Sequence, residues 1–128
     1  SSRGTLDKYQ IGFVYDVGAY LSTLGLVKTL QADYFVPSHA PAAESVSELA
    51  QYNIDKVHHI AGHIETLCTA PRTFEGLLQQ VFTDYGLTMS FEQHALVGST
   101  VRSYLSWLKD CGRLEAYFQD NLLFWHRV

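Results

Sequence analysis

Leu114-Glu115-Ala116-Tyr117-Phe118-Gln119-Asp120-Asn121-Leu122-Leu123-Phe124-Trp125-His126-Arg127 closes the chain and decides how the residues before it are read. Runs 114–118 and 122–127 read as two alternating strands. Gln119-Asp120-Asn121 between them suits a tight hairpin turn. Working back from the hairpin, Val101, Tyr104, Leu105 and Leu108 share the inward face of a helix that Ser99 or Thr100 caps and Gly112 ends. Gly98 reads as the turn before it. Ser90-Phe91-Glu92-Gln93 is a capping-box sequence and opens a short helix to about residue 97. Earlier still, Thr73 caps a helix with Phe74, Leu77, Leu78, Val81, Phe82 and Tyr85 on one broad apolar face, and Gly86 terminates it.

Three helices followed by a hairpin is the order of a winged helix-turn-helix, and Pro71 sets residues 71–128 apart as that domain. Residues 1–70 have a different pattern. Asp16 is a good helix N-cap, and Val17, Leu21, Leu24, Val27 and Leu30 recur every three or four residues after it, which predicts a helix over 16–30. Tyr34-Phe35-Val36 reads as a short buried strand stopped by Pro37, with Ser38-His39-Ala40-Pro41 as a loop. A long helix is expected over 42–69, striped by Val46, Leu49, Asn53, Val57, Ile60, Ile64 and Leu67. Asn53 interrupts the stripe, and a buried amide needs partners, expected in a nearby loop. Gly62 allows a bend.

The two segments Asp16-Val17-Gly18-Ala19-Tyr20-Leu21-Ser22-Thr23-Leu24 and Ala32-Asp33-Tyr34-Phe35-Val36-Pro37-Ser38-His39 together resemble the end of the metallo-β-lactamase fold. There a helix leads to a strand that ends in a turn bearing a histidine. The resemblance implies that His39 is a metal ligand, the last of a two-metal site that usually holds zinc. It implies a hydrolase whose substrate is a small-molecule ester, thioester, amide or phosphoester. The long helix, with Asn53, is also similar to hydrolases of that superfamily, and winged-helix tails occur in several of its branches. The superfamily's main motif of three histidines and an aspartate within six residues has no match here. One imidazole does not make a zinc site, because even catalytic zinc needs about three protein ligands. The expectation is therefore α+β and mostly helical: a carboxy-terminal fragment of an αββα metallo-β-lactamase fold over 1–70, then a winged helix-turn-helix-like domain over 71–128. Alone, such a fragment is expected to be inactive and to bind no metal productively. It is also expected to form a homo-oligomer through the uncovered apolar sides of its strand and helices.

Composition limits the alternatives. Of 128 residues, 47% are hydrophobic and 17% charged, which suits a folded domain and excludes disorder. No apolar run is long enough to span a membrane. Two lone cysteines, Cys68 and Cys111, make no disulfide framework and fit a cytoplasmic protein. His59 and His63 stand four apart, a spacing that can bind metal, but no companion motif accompanies them or His58, and surface histidines are the expectation. Nine Lys and Arg against thirteen Asp and Glu leave a net charge of −4. Over residues 72–128 there are five against six. The expected outward positions of the last helix are Arg102, Ser103, Ser106, Lys109 and Asp110. Two spread cations do not make the basic stripe that phosphate neutralisation requires, so nucleic acid is not an expected partner. The alternative reading keeps the winged helix and discards the hydrolase: a regulator whose long helical arm dimerises and whose winged helix binds DNA or protein.

Overall fold

The computed structural model describes residues 14–33 and 46–128. The strand expected at 34–36, the turn that carries His39 and the start of the long helix at 42–45 lie outside the described residues. What is described is α+β and mostly helical. Helix α1 spans Val17–Asp33, α2 Val46–Leu67, α3 Phe74–Asp84 and α4 Phe91–Asp110. Strand β1 is Arg72–Thr73, β2 Leu114–Gln119 and β3 Leu122–Arg127. The strands form one antiparallel sheet in the order β1-β3-β2. Among the described residues, no helix is long and apolar enough to cross a membrane.

Local chemistry accounts for most element boundaries. The Asp16 carboxylate accepts from the Ala19 amide at 2.9 Å and so caps α1. Thr73 does the same for α3, accepting from Gly76 at 3.2 Å, and Ser90 for α4, accepting from Gln93 at 3.1 Å. Gly86 and Gly112 end α3 and α4 with φ of 65° and 75°. Leu87 N–H then reaches back to the Phe82 carbonyl and Arg113 N–H to that of Leu108, at 2.8 and 2.9 Å. These bonds occupy carbonyls that a helix end would leave open. Asp120 and Asn121 both have positive φ, 53° and 64°, which gives a two-residue turn whose twist matches the hairpin.

The short helix expected to end near residue 97 and the one expected to start at Ser99 or Thr100 are a single helix, α4. Gly98 is buried within it and lacks the positive φ of a turn. A Cβ at Gly98 would lie 3.5 Å from Phe74 Cζ and 3.6 Å from Leu78 Cδ2, ordinary van der Waals contact, so neither the backbone nor the packing there requires glycine. Residues 73–128 thus hold two helices rather than three, and the third helix around the sheet is α2.

One core draws on both sides of Pro71. Val57, Ile60, Ala61, Ile64 and Cys68 from α2 and its end meet Leu77, Leu78 and Val81 of α3. Val97, Val101, Tyr104, Leu105 and Leu108 of α4, with Leu114 of β2, complete the cluster. Each fully buried Leu or Ile contributes about 2 kcal/mol of transfer free energy. Val14 and Val17 join the same cluster, so the start of α1 is tied to α4. Helix α1 also lies along α2. The Tyr20 hydroxyl donates to Asn53 Oδ1 at 2.8 Å, and Asn53 Nδ2 donates to the Leu49 carbonyl at 2.8 Å. Among the described residues the buried amide therefore joins two helices, and residues 34–45, which hold the expected loop, lie outside them. The hairpin is held to α2 by Glu65, which pairs with Arg113 just before β2 and with Arg127 at 3.7 Å at the end of β3. Arg127 N–H also donates to the Cys68 carbonyl at 2.8 Å.

Candidate functional site

A concavity with a partly polar lining lies between the first turn of α1 and the outer face of α4. It encloses about 440 Å³ and is lined by Tyr15, Asp16, Gly18, Arg102, Trp107 and Asp110, with Ser99, Ser103 and Ser106 between them. Helical spacing sets this wall: Ser99, Arg102, Ser103, Ser106, Trp107 and Asp110 recur every three or four residues on one side of α4. The opposite wall is the chain entering α1. The Val14 amide donates to Thr100 Oγ1 at 3.2 Å, and the Ser103 hydroxyl has two carbonyl acceptors within reach of its one proton, that of Tyr15 and, at 3.1 Å, that of Ser99. The Arg102 guanidinium lies 3.7 Å from the centroid of the Phe74 ring, a cation–π contact that holds it along the surface of α3.

Of the outward positions expected on this helix, Arg102, Ser106, Lys109 and Asp110 are exposed, while Ser103 is half-buried by its bond to residue 15. The groove's charged groups are one guanidinium and two carboxylates, Asp16 and Asp110. That lining suits a polar or mixed-charge contact and gives a polyanion no footing. A second, apolar hollow of about 370 Å³ sits at the start of α4, lined by Met89, Ser90, Phe91 and His94. Phe91 there is fully exposed.

The expected metal ligand, His39, lies outside the described residues. Among the described residues, no three His, Cys, Asp or Glu side chains come together to hold an ion. Of the His59–His63 pair, only His63 has a side-chain hydrogen-bond partner among the described residues. His63 Nε2 is 2.7 Å from Asp84 Oδ2, and its ring stands edge-on to Tyr85 at 5.4 Å between centroids. Hydrogen bonds from Gln80, at 2.7 Å, and from His63 hold the Asp84 carboxyl below the usual carboxylate range. His59 is exposed, and so is His58, whose ring sits 6.1 Å from that of Trp107. His94 bonds to both Glu75 oxygens at 3.1 Å, and His126 to Glu115 at 3.1 Å. These are surface imidazole–carboxylate pairs joining neighbouring elements, not the converging donor set that zinc requires.

Burial pushes the Cys68 thiol up to about 11, against the opposing pull of Arg72, which leaves it protonated and unreactive at neutral pH. Sequence reasoning did not find the Tyr20–Asn53 bond or the Tyr15 and Trp107 walls of the groove. Tyr20 and Asn53 are 33 positions apart, and no spacing rule reaches that far. Comparison with family models, with curated proteins and with solved structures finds no match to the chain.

Proposed function

We propose that the chain is the carboxy-terminal part of a metal-dependent hydrolase of the metallo-β-lactamase superfamily, with residues 71–128 as a winged-helix-like module. The hydrolase reading rests on the resemblance carried by residues 16–24 and 32–39. The observation that supports it is the pair of helices α1 and α2. The resemblance needs a helix before and a long helix after the histidine turn. Helix α1 ends at Asp33 and α2 is in place from Val46, and Tyr20 and Asn53 bind the two together. In this reading His39 supplies one imidazole to a metal, usually zinc, and the remaining ligands belong to sequence outside these 128 residues. The described residues do not replace them. Hydrolysis of an ester, thioester, amide or phosphoester is thus a property of the longer protein, and this chain alone is inactive.

The module reading follows from element order. Support comes from helices α3 and α4 and the β2–β3 hairpin, in a sheet ordered β1-β3-β2, with α2 of the preceding part as the third helix packed beside them. The polar, mixed-charge outer face of α4 and its occupation by residues 14–18 favour a module that contacts protein rather than nucleic acid.

The test is His39→Ala in the longer protein. Metal content should fall, and turnover of a generic ester or phosphodiester should drop by more than the roughly 10–100-fold typical of outer-shell partners. The melting profile should barely move. Unchanged metal content and turnover would remove the hydrolase reading and leave the regulator, a winged helix on a long helical arm.

A further inference from the structure

The sheet order leaves β2 with a single neighbour, β3, and no other described strand pairs with its outer edge. We propose that this edge pairs antiparallel with the same edge of a second copy, about a two-fold axis at Tyr117, joining two three-stranded sheets into one of six strands.

The backbone phase is fixed by the hairpin. Gln119 and Leu122 flank the two-residue turn and form its hydrogen-bonded closing pair. Pairs along an antiparallel ladder alternate between bonded and non-bonded. Tyr117↔Phe124 and Glu115↔His126 are then bonded pairs, and the backbone groups of Ala116 and Phe118 point away from β3. At the other end of the ladder, the Val128 amide donates to the Arg113 carbonyl at 3.2 Å, the phase this alternation requires. Ala116 and Phe118 therefore offer N–H and C=O groups to a strand on the outside. None of these groups bonds elsewhere among the described residues.

A two-fold axis at Tyr117 sets Ala116 opposite Phe118 of the second copy, and the reverse, closing four backbone hydrogen bonds. The side chains agree with that register. On the solvent face Glu115 meets Gln119 of the mate, a carboxylate facing an amide donor, and no like charges are opposed. Tyr117 meets its own counterpart. Since Tyr117 already stacks on Phe124 with 5.8 Å between centroids, an aromatic row runs across four strands. On the opposite face Phe118, 78% exposed in one copy, lies over the small Ala116 of the mate. Moving the axis to Ala116 would bring the mate's turn beside the end of α4 and set the two Glu115 carboxylates diagonally across the join, so Tyr117 is the better centre.

Glu115 is the one charge on this edge, and the proposed register faces it with an amide. Leu114-Glu115-Ala116-Tyr117-Phe118-Gln119 contains no lysine, no proline and no bulge. Pairing over about five residues a side buries less than the roughly 1,200 Å² of a standard stable interface, so the dimer is weak and concentration-dependent. The proposal goes beyond the hydrolase reading and does not depend on it.

Sedimentation velocity on the full chain, from about 10 μM to about 1 mM, tests the association. Wild type should pass from monomer to dimer. Gln119→Glu places a carboxylate opposite Glu115 twice per dimer and should weaken dimerisation by roughly tenfold. Adding Glu115→Gln restores a carboxylate–amide pair and should return the affinity to within about twofold of wild type. Far-ultraviolet circular dichroism and melting confirm that both variants fold. In a mixture of differently labelled copies, intermolecular cross-peaks should link Ala116 to Phe118. A chain that stays monomeric at the highest concentration overturns the proposal. So does a dimer that ignores Gln119→Glu, or one that the double substitution does not restore.

Discussion

Cys68 and Cys111 carry the same thiol in opposite surroundings. Cys68 follows α2 and is fully buried, whereas Cys111 caps α4 and is exposed. A thiol-specific reagent at neutral pH should therefore modify one cysteine in the native chain, Cys111, and two after denaturation. Rapid modification of both in the native state would contradict the buried position of Cys68. The same burial predicts a pH dependence. In the fold the Cys68 thiol keeps its proton up to about 11, while in the unfolded chain it ionises near its ordinary value of 9.0. The folded state thus holds this proton more tightly. The contribution is complete below pH 9.0 and is lost as pH rises toward about 11. Burial raises Tyr104 in the same sense, so both groups favour the fold in their neutral forms. Urea unfolding from about pH 8 to about pH 10.5 should show stability falling, with a shallower fall in Cys68→Ala. Equal slopes in the two proteins would remove Cys68 from the account.

At the scale of elements, Gly98 decides between two readings of the same twenty residues. A turn glycine resists substitution, whereas a glycine inside a helix lowers stability by up to about 1 kcal/mol relative to alanine. In α4 the added methyl would sit at ordinary van der Waals distance from Phe74 and Leu78. Gly98→Ala should therefore stabilise the protein by about 0.5–1 kcal/mol in denaturant titration, and a loss of comparable size would restore the turn. In sequence Gly98 reads as a turn because glycine after a short capped segment carries the same local signal as a turn, whereas the helix here continues through it with its inward face packed on α3. The caps at Asp16, Thr73 and Ser90, the terminators Gly86 and Gly112 and the hairpin turn were legible because each depends on residues within a few positions of itself. Strand β1 was not, since Arg72-Thr73 is only two residues long and owes its conformation to Trp125 and Phe124 on β3. The outward set on α4 was legible from helical period at Arg102, Ser106, Lys109 and Asp110. The groove was not, because its second wall comes from residues more than eighty positions away.

For the whole molecule, the proposed winged-helix reading invites a nucleic-acid function, and the charge distribution opposes it. A duplex binder gains affinity by neutralising phosphates and releasing counterions, which makes binding fall steeply with salt. This chain carries a net charge of −4. On the helix that would enter a groove, Arg102 already rests on Phe74, Lys109 is followed by Asp110, and Ser103 is bonded to the backbone of Tyr15. The hairpin adds no compensation: its tip, Gln119-Asp120-Asn121, carries a carboxylate and no cation, and Arg127 is turned back to Glu65. Residues 14–18 also lie along the face that would have to approach the bases. Fluorescence anisotropy with a mixed-sequence duplex at about 50 mM salt should therefore show binding no tighter than the roughly 10⁻⁴ M of weak non-specific contact. Submicromolar binding with a log–log salt slope steeper than about −3 would mean that three or more phosphates are neutralised. That result would require residues 14–18 to leave α4 and would favour the DNA-binding form of the proposed winged-helix reading.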